Sequence, residues 1–203
     1  MSHGLRTVLG MAHVNRVTPT GEIVRSGLRG AWMGNRGCIH TGVDEIARSW
    51  RSTAWIICRL EHKGWVMPQW APGRYTVLFF HDEAVALAAG HRPCALCRRE
   101  DYNALRDAWP ADGRPKATEL DAVLHAERLG PRVSAPWSDL PDGTFVWDDG
   151  PRLVRGDGVV PWSSDAGYGS PVRRPRHGHV EVITPPSSVA VLRAGYPVQI
   201  ASG

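Results

Sequence analysis

Pro93-Cys94-Ala95-Leu96-Cys97 sets two thiols three residues apart on a turn that opens with proline. Thiolates at that spacing grip one metal ion from a single tight turn, and such a pair is the usual half of a tetrahedral zinc site. The chain holds four cysteines in all, the others being Cys38 and Cys58. In a protein expected to be cytoplasmic they serve as metal ligands or core thiols more readily than as disulfides, because the cytosol keeps thiols reduced. A Cys-x-x-Cys pair can also cycle as a redox couple where it opens a helix that favours the thiolate.

A second constellation is His125-Ala126-Glu127. It reproduces the His-x-Glu of zinc deaminases, whose other half is Pro-Cys-x-x-Cys. In that chemistry one histidine and two cysteines leave a coordination position for water, and the glutamate shuttles protons. Here the two halves come in reversed chain order. On a helix, residues two apart point about 200° from each other. His125 then shares a face with Asp121 and Arg128, as an exposed Asp121···His125 pair, while Glu127 falls beside the apolar stripe Leu120, Val123 and Leu124. A carboxyl beside such a stripe can acquire a raised pKa and act as acid or base.

The positive charge has a lopsided make-up. Lys63 and Lys116 are the only lysines among 24 basic residues, and the net charge is +4. Arginine enrichment follows from GC-rich codon usage or from a surface that engages phosphates, which guanidinium forks grip bidentately. Arg92, Arg98 and Arg99 around the cysteine turn, and Arg173, Arg174 and Arg176 in a proline-containing loop, are the candidate phosphate contacts. Nine tryptophans are many for this length; Trp55, Trp65, Trp147 and Trp162 read as core or sheet-face residues, and exposed ones can stack on bases. The composition is 42% hydrophobic and 22% charged, with no apolar run near the roughly 20 residues of a membrane span. Nor do the first residues carry the charged start and apolar stretch of a secretory signal.

The elements that would hold these groups alternate in period. Arg6-Thr7-Val8-Leu9 and Glu22-Ile23-Val24 read as short strands, with a turn at Thr20-Gly21. Trp32 to His40 is dense in turn formers, and Asn35-Arg36-Gly37 suits a sharp reversal with positive φ at the glycine. Ser52 to Leu60, Trp65-Val66-Met67 and Tyr75 to Phe80 read as an antiparallel meander. Asp82 then caps a helix through Ala89 that Gly90 stops. Arg98 to Trp109 makes a second helix with Tyr102, Leu105 and Trp109 on one stripe, and a third runs from a Thr118 cap to Gly130. Beyond Pro131 the strands are short: Thr144 to Trp147, Leu153-Val154 and Val180 to Ile183, with turns at Gly156-Asp157-Gly158 and Gly167-Tyr168-Gly169. Thr184-Pro185-Pro186 starts a last helix that Gly195 ends.

Leu78-Phe79-Phe80-His81-Asp82-Glu83-Ala84-Val85-Ala86-Leu87-Ala88-Ala89-Gly90-His91-Arg92-Pro93-Cys94-Ala95-Leu96-Cys97 resembles the second half of the zinc domain of Ada-type DNA repair proteins. That pattern is a Phe-Phe strand end, a short Glu-Ala helix, and then Ala-Gly-Phe-Arg-Pro-Cys-Lys-x-Cys. With Ser52-Thr53 and Cys58 ahead of it, the likeness extends over about residues 52–99. In the family four cysteines hold zinc, and one accepts a methyl group from a DNA phosphotriester. The resemblance implies Cys58, Cys94 and Cys97 as zinc ligands and Cys58 as the reactive thiolate. The family's remaining cysteine falls on His62, and histidine also ligates zinc. Cys38 is its rival for that fourth place, with His40, His91 and His125 behind. The Pro-Cys-His-Arg acceptor motif and the helix-turn-helix of full-length Ada proteins have no counterpart here.

The expectation is an α+β fold: an antiparallel β-meander with about three helices around a Cys-x-x-Cys zinc knuckle, plus a β-rich C-terminal section. Residues 1–130 would form the zinc-knuckle domain and 131–203 the β-rich section, able to pack into the same domain. The leading function is a zinc-thiolate protein that handles DNA or another phosphate-bearing ligand, in the manner of a DNA alkylation repair module. The alternative is a zinc-dependent hydrolase or deaminase-like enzyme with a Cys/Cys/His metal site and Glu127 as proton shuttle.

Overall fold

The computed structural model describes residues 12–111 and 113–202. The strand expected at 6–9 lies outside them. The first half contributes strands β1 (Val14–Val17), β2 (Ile23–Arg25), β3 (Trp32–Asn35), β4 (His40–Gly42), β5 (Glu45–Ile46), β6 (Ile56–Cys58) and β7 (Leu78–Phe80). Helix α1 (Glu83–Ala88) and strand β8 (Arg92–Pro93) follow, then α2 (Arg99–Asp107) and α3 (Ala117–Leu129). The second half runs β9 (Val133–Pro136), β10 (Phe145–Trp147), β11 (Pro151–Arg155), β12 (Gly158–Ser163), β13 (Gly167–Tyr168), β14 (Val172–Arg173), β15 (His179–Val182) and α4 (Pro186–Arg193). The molecule is mixed α+β and mostly β.

Six strands form the first sheet in the order β2-β1-β7-β3-β6-β8, and β4 pairs with β5 apart from it. The expected meander over 52–80 is therefore not what forms. Strands β6 and β7 do not touch; each pairs antiparallel with β3, which separates them. Residues 65–67 add no strand, only a bridge between Trp65 and His62. That central β3 is Trp32-Met33-Gly34-Asn35, a stretch whose glycine and asparagine argue for a turn. The strand wins because Gly34 lets two neighbours close in. A Cβ there would overlap the Ile56 carbonyl oxygen and lie 2.8 Å from Phe80 Cε2. The reversal itself comes just after, at Gly37, with φ of 88°.

The second sheet has seven strands, in the path β13-β12-β11-β10-β15-β9 with β14 also on β12. Its centre is a succession of antiparallel neighbours, β10 to β11 to β12, turned at Gly156 with φ of 55°. Gly167-Tyr168, expected as a turn, is a two-residue strand on the edge.

Helix α1 joins the halves. All six of its residues are buried, as a helix apolar nearly all round must be. Asp82 caps it, accepting from the Val85 N–H at 2.9 Å, and Gly90 leaves it with φ of 80°. Around α1 one core cluster draws Val17, Ile57, Leu78 and Phe80 from the first sheet and Phe145, Leu153 and Trp162 from the second. Residues 131–202 therefore share a core with the first half. On α2, Tyr102, Leu105 and Trp109 form the expected inward stripe. On α3 the inward residues are Leu120, Asp121 and Leu124, while Val123 faces out. Trp55 and Trp162 are buried, but Trp65 and Trp147 are exposed, against expectation. None of the helices among the described residues is long and apolar enough to cross a membrane.

Candidate metal centre

Strand β6 carries Ile56-Ile57-Cys58, and the two-residue period of a strand decides where each side chain goes. Ile57 enters the main core, while Ile56 and Cys58 turn to the other face, against Met33, Met67 and Val77. Strand β8 lies parallel to β6, with Ile56 opposite Arg92 and Ile57 opposite Pro93. Proline is tolerated there because β8 is a sheet edge. The ladder then continues one step: the Cys94 N–H donates to the Ile57 carbonyl at 2.8 Å. That bond delivers Cys94 to the strand residue beside Cys58. The chain turns at once, with the Arg98 N–H on the Cys94 carbonyl at 3.1 Å and the Leu96 N–H 3.4 Å from Cys94 Sγ, which brings Cys97 round.

The outcome is a group of three thiols, Cys58, Cys94 and Cys97, whose sulfurs all lie within 4.8 Å of one another. All are free, Cys58 buried and the other two half-buried. A tetrahedral zinc with Zn–S bonds of about 2.3 Å holds its sulfurs about 3.8 Å apart, so the spacing fits one such ion. Without metal the three share protons unequally. The Cys58 thiol hydrogen bonds to Cys94 and is itself desolvated, which pushes its pKa far up. Cys94, receiving that bond and backbone N–H groups of Cys97 and Leu96, falls to about 5. Burial raises Cys97. Tyr75 packs against the group, and burial followed by the neighbouring thiolates pushes its phenol up to about 12.

The turn is anchored from beneath by Arg98. Its side chain is fully buried, stacks over Trp32 at 3.9 Å, and forms ion pairs with Glu83 at 2.8 Å and Asp101 at 2.8 Å. Glu83 in turn accepts from the Tyr196 hydroxyl at 2.7 Å. Arg92 is equally committed: its guanidinium meets Asp121 through two bonds of 2.8 Å, both residues buried. Neither arginine faces solvent where a phosphate would be, and of the three around the cysteine turn only Arg99 remains on the surface; in the proline-containing loop Arg173 and Arg176 are exposed and Arg174 is half-buried. Next to the cysteines, a buried carboxylate captures a guanidinium more effectively than water releases it.

Of the candidates for a fourth ligand, none joins the group among the described residues. Cys38 sits in the loop after β3, where Thr76 ties down both neighbours: the Gly37 carbonyl accepts from the Thr76 N–H at 3.0 Å, and the Ile39 N–H donates to the Thr76 hydroxyl at 2.9 Å. His40 bonds to the same hydroxyl at 2.6 Å and packs edge-on against Trp70. His62 occupies the turn closed by Trp65. His91 is buried, its Nε2 accepting from Arg36 at 3.2 Å. His125 stands edge-on to Trp50, with ring centroids 4.5 Å apart.

Glu127 is likewise elsewhere. Both of its oxygens accept from the Ser187 N–H, at 3.1 and 3.2 Å, and one accepts from the Ser187 hydroxyl at 2.6 Å. It fastens α3 to the first turn of α4 and takes no place beside the sulfurs. The expected Asp121···His125 pair is absent because Arg92 holds Asp121. Sequence reasoning passed over Tyr75 as one more strand residue and Arg36 as one more turn residue; neither neighbourhood is encoded locally. Models of known protein families, curated proteins and solved structures yield no match to this chain.

Proposed function

We propose that the protein is a zinc-thiolate protein in which Cys58, Cys94 and Cys97 hold one Zn2+ and Cys58 accepts an alkyl group from a phosphate-bearing substrate such as alkylated DNA. The observation that carries this reading is the convergence of three thiols, one from a strand and two from the turn. An Ada-type acceptor is itself a zinc-bound thiolate, so the reading rests on the converging thiols and needs no open coordination position. Bound zinc would keep all three cysteines as thiolates at neutral pH.

What separates the thiols is their hydrogen bonding. Backbone N–H groups aim at Cys94, drawing charge from its sulfur, while the partners that bear on Cys58 are the other two cysteines. Once those are metal ligands, Cys58 has the least-quenched sulfur. In the proposed step Cys58 Sγ attacks the alkyl carbon, the C–S bond forms, the C–O bond to phosphorus breaks, and the phosphodiester leaves with the electron pair. No proton moves. The order of strand, helix, turn and thiols supports the likeness to the Ada-type zinc domain. A hydrolytic reading draws no such support, because Glu127 is spent on Ser187.

Metal analysis of freshly purified protein tests the first element: about one zinc per chain in wild type, none in Cys94→Ser, and full loading in Cys38→Ser. Incubating the zinc-loaded protein with a methylphosphotriester oligonucleotide tests the second. One methyl group should appear on Cys58 by mass spectrometry, and none on Cys58→Ser. A loaded protein that gains no methyl group would reduce the centre to a structural one.

A further inference from the structure

Trp55 stands three residues before Cys58 and is buried. Two guanidiniums pack on its indole: Arg36 Cζ lies 3.9 Å and Arg128 Cζ 4.1 Å from the ring centroid. Neither has a carboxylate within ion-pair distance among the described residues. Arg36 is 2% exposed; its Nε donates to His91 and its Nη1 to the Gly21 carbonyl at 2.9 Å, but its Nη2 has no partner. Arg128 donates only to carbonyls, among them Leu124 at 3.0 Å and Thr53 at 2.9 Å. Burial, and then the other cation, pulls the Arg36 pKa down to about 9; burial pulls Arg128 to about 10 against the attraction of Asp121.

A buried cation without a counter-charge is costly, and an unpaired donor adds to that cost. Both arginines line a crevice of about 320 Å3 between the end of α3, the loop at Ser49-Trp50 and the Pro185-Pro186 start of α4. Glu127 is the acidic residue of that lining, and Ser187 occupies it. Arg132, also in the lining, is paired with Glu181. Two guanidiniums with no carboxylate in ion-pair contact among the described residues therefore face this crevice, Arg128 feeling Asp121 only at longer range. Trp50, 38% exposed, stands in the same wall and offers an aromatic face to the rest of a ligand.

We propose that this crevice is a binding site for a phosphate monoester, its phosphoryl group held by Arg36 and Arg128 at the edge of Trp55. A phosphate monoester carries a charge of about −1.5 to −2 at neutral pH, which matches the two guanidiniums, and its three terminal oxygens suit paired forks. Trp55 lies in register with Ile57, on the face of the first sheet opposite Cys58. The site is thus separate from the sulfur group and does not rest on the zinc reading.

Isothermal titration calorimetry with inorganic phosphate and with adenosine monophosphate tests the proposal. Wild type binds both; Arg36→Met and Arg128→Gln each weaken both by about tenfold or more, the loss expected for a charge-assisted fork. Trp50→Ala leaves inorganic phosphate unchanged and weakens adenosine monophosphate alone. Cys94→Ser keeps phosphate binding, which separates failure here from failure of the zinc centre. Should Arg36→Met not fold, Arg128→Gln decides. Undiminished affinity in that variant, or no binding by wild type beyond the effect of chloride at equal ionic strength, overturns the proposal.

Discussion

The two sheets are assembled in opposite ways. In the second, β10, β11 and β12 are neighbours both in chain and in space, and each antiparallel step is closed by a short turn. In the first, β7 inserts between β1 and β3, β8 returns to lie parallel to β6, and a strand rich in turn formers holds the centre. The groups with chemical potential all belong to the second manner of assembly, the non-local one. Its parallel edge pair β6 and β8 sets Cys58 beside Cys94, and on the opposite face sets Trp55 near His91, with ring centroids 5.0 Å apart. Local hairpins make a sheet economically, but they bring together only residues already close in sequence. Distant strands are what make a site.

This contrast can be broken most sharply at Glu83. Replacing it with alanine takes from the buried Arg98 its buried carboxylate, leaving only the half-buried Asp101, and removes the acceptor for Tyr196, so the expected loss is about 3–5 kcal/mol by urea denaturation. Because both halves share one core, the transition should stay single. Two resolved transitions would show that the sheets unfold independently.

Glycine substitutions sharpen the same comparison. Gly34→Ala forces β3 away from Ile56 and Phe80 and should cost on the order of 3 kcal/mol. Gly158→Ala on β12 meets nothing nearer than 3.4 Å and should shift stability by less than about 1 kcal/mol. Equal losses would mean that the two sheets are packed alike.

A smaller effect concerns His91. Burial, then Arg36 and Arg128, holds its imidazole well below the ordinary value of 6.5, so the unfolded chain binds the proton first. Its neutral form contributes fully above pH 6.5, and the contribution falls as pH drops from there toward the folded-state value. The stability difference between wild type and His91→Gln should therefore shrink on acidification, with a slope of up to ~1.4 kcal/mol per pH unit. Denaturant midpoints from pH 7 to pH 5 measure it, and parallel curves for the two proteins would remove His91 as the source.

Much of the local structure was legible. Asp82 and Gly90 bracket α1, Pro186 and Gly195 bracket α4, and the Gly156 turn closes its hairpin, because each signal acts on groups within a few residues. The centre strand β3 was not, since Gly34 there serves a close approach rather than a turn. Nor was the fate of the arginines. A sequence shows Arg92, Arg98 and Arg99 as one basic cluster, whereas Asp121 and Glu83, brought in by α3 and α1, take two of them inward. Glu127 reads as a proton shuttle beside an apolar stripe until Ser187 is found across from it.

By itself, then, the sequence determined the mixed class, the helix-bounded turn and its two thiols, since caps, prolines and thiol spacing are short-range chemistry. Only the tertiary structure decided that Cys58 joins Cys94 and Cys97, that Cys38, His40, His62, His91 and His125 do not, and that Arg36 and Arg128 close on Trp55 with no carboxylate in ion-pair contact among the described residues. Those outcomes hang on the register of β6 against β8 and β3. Register is fixed by which faces must be buried, a property of the assembled sheet rather than of any one strand.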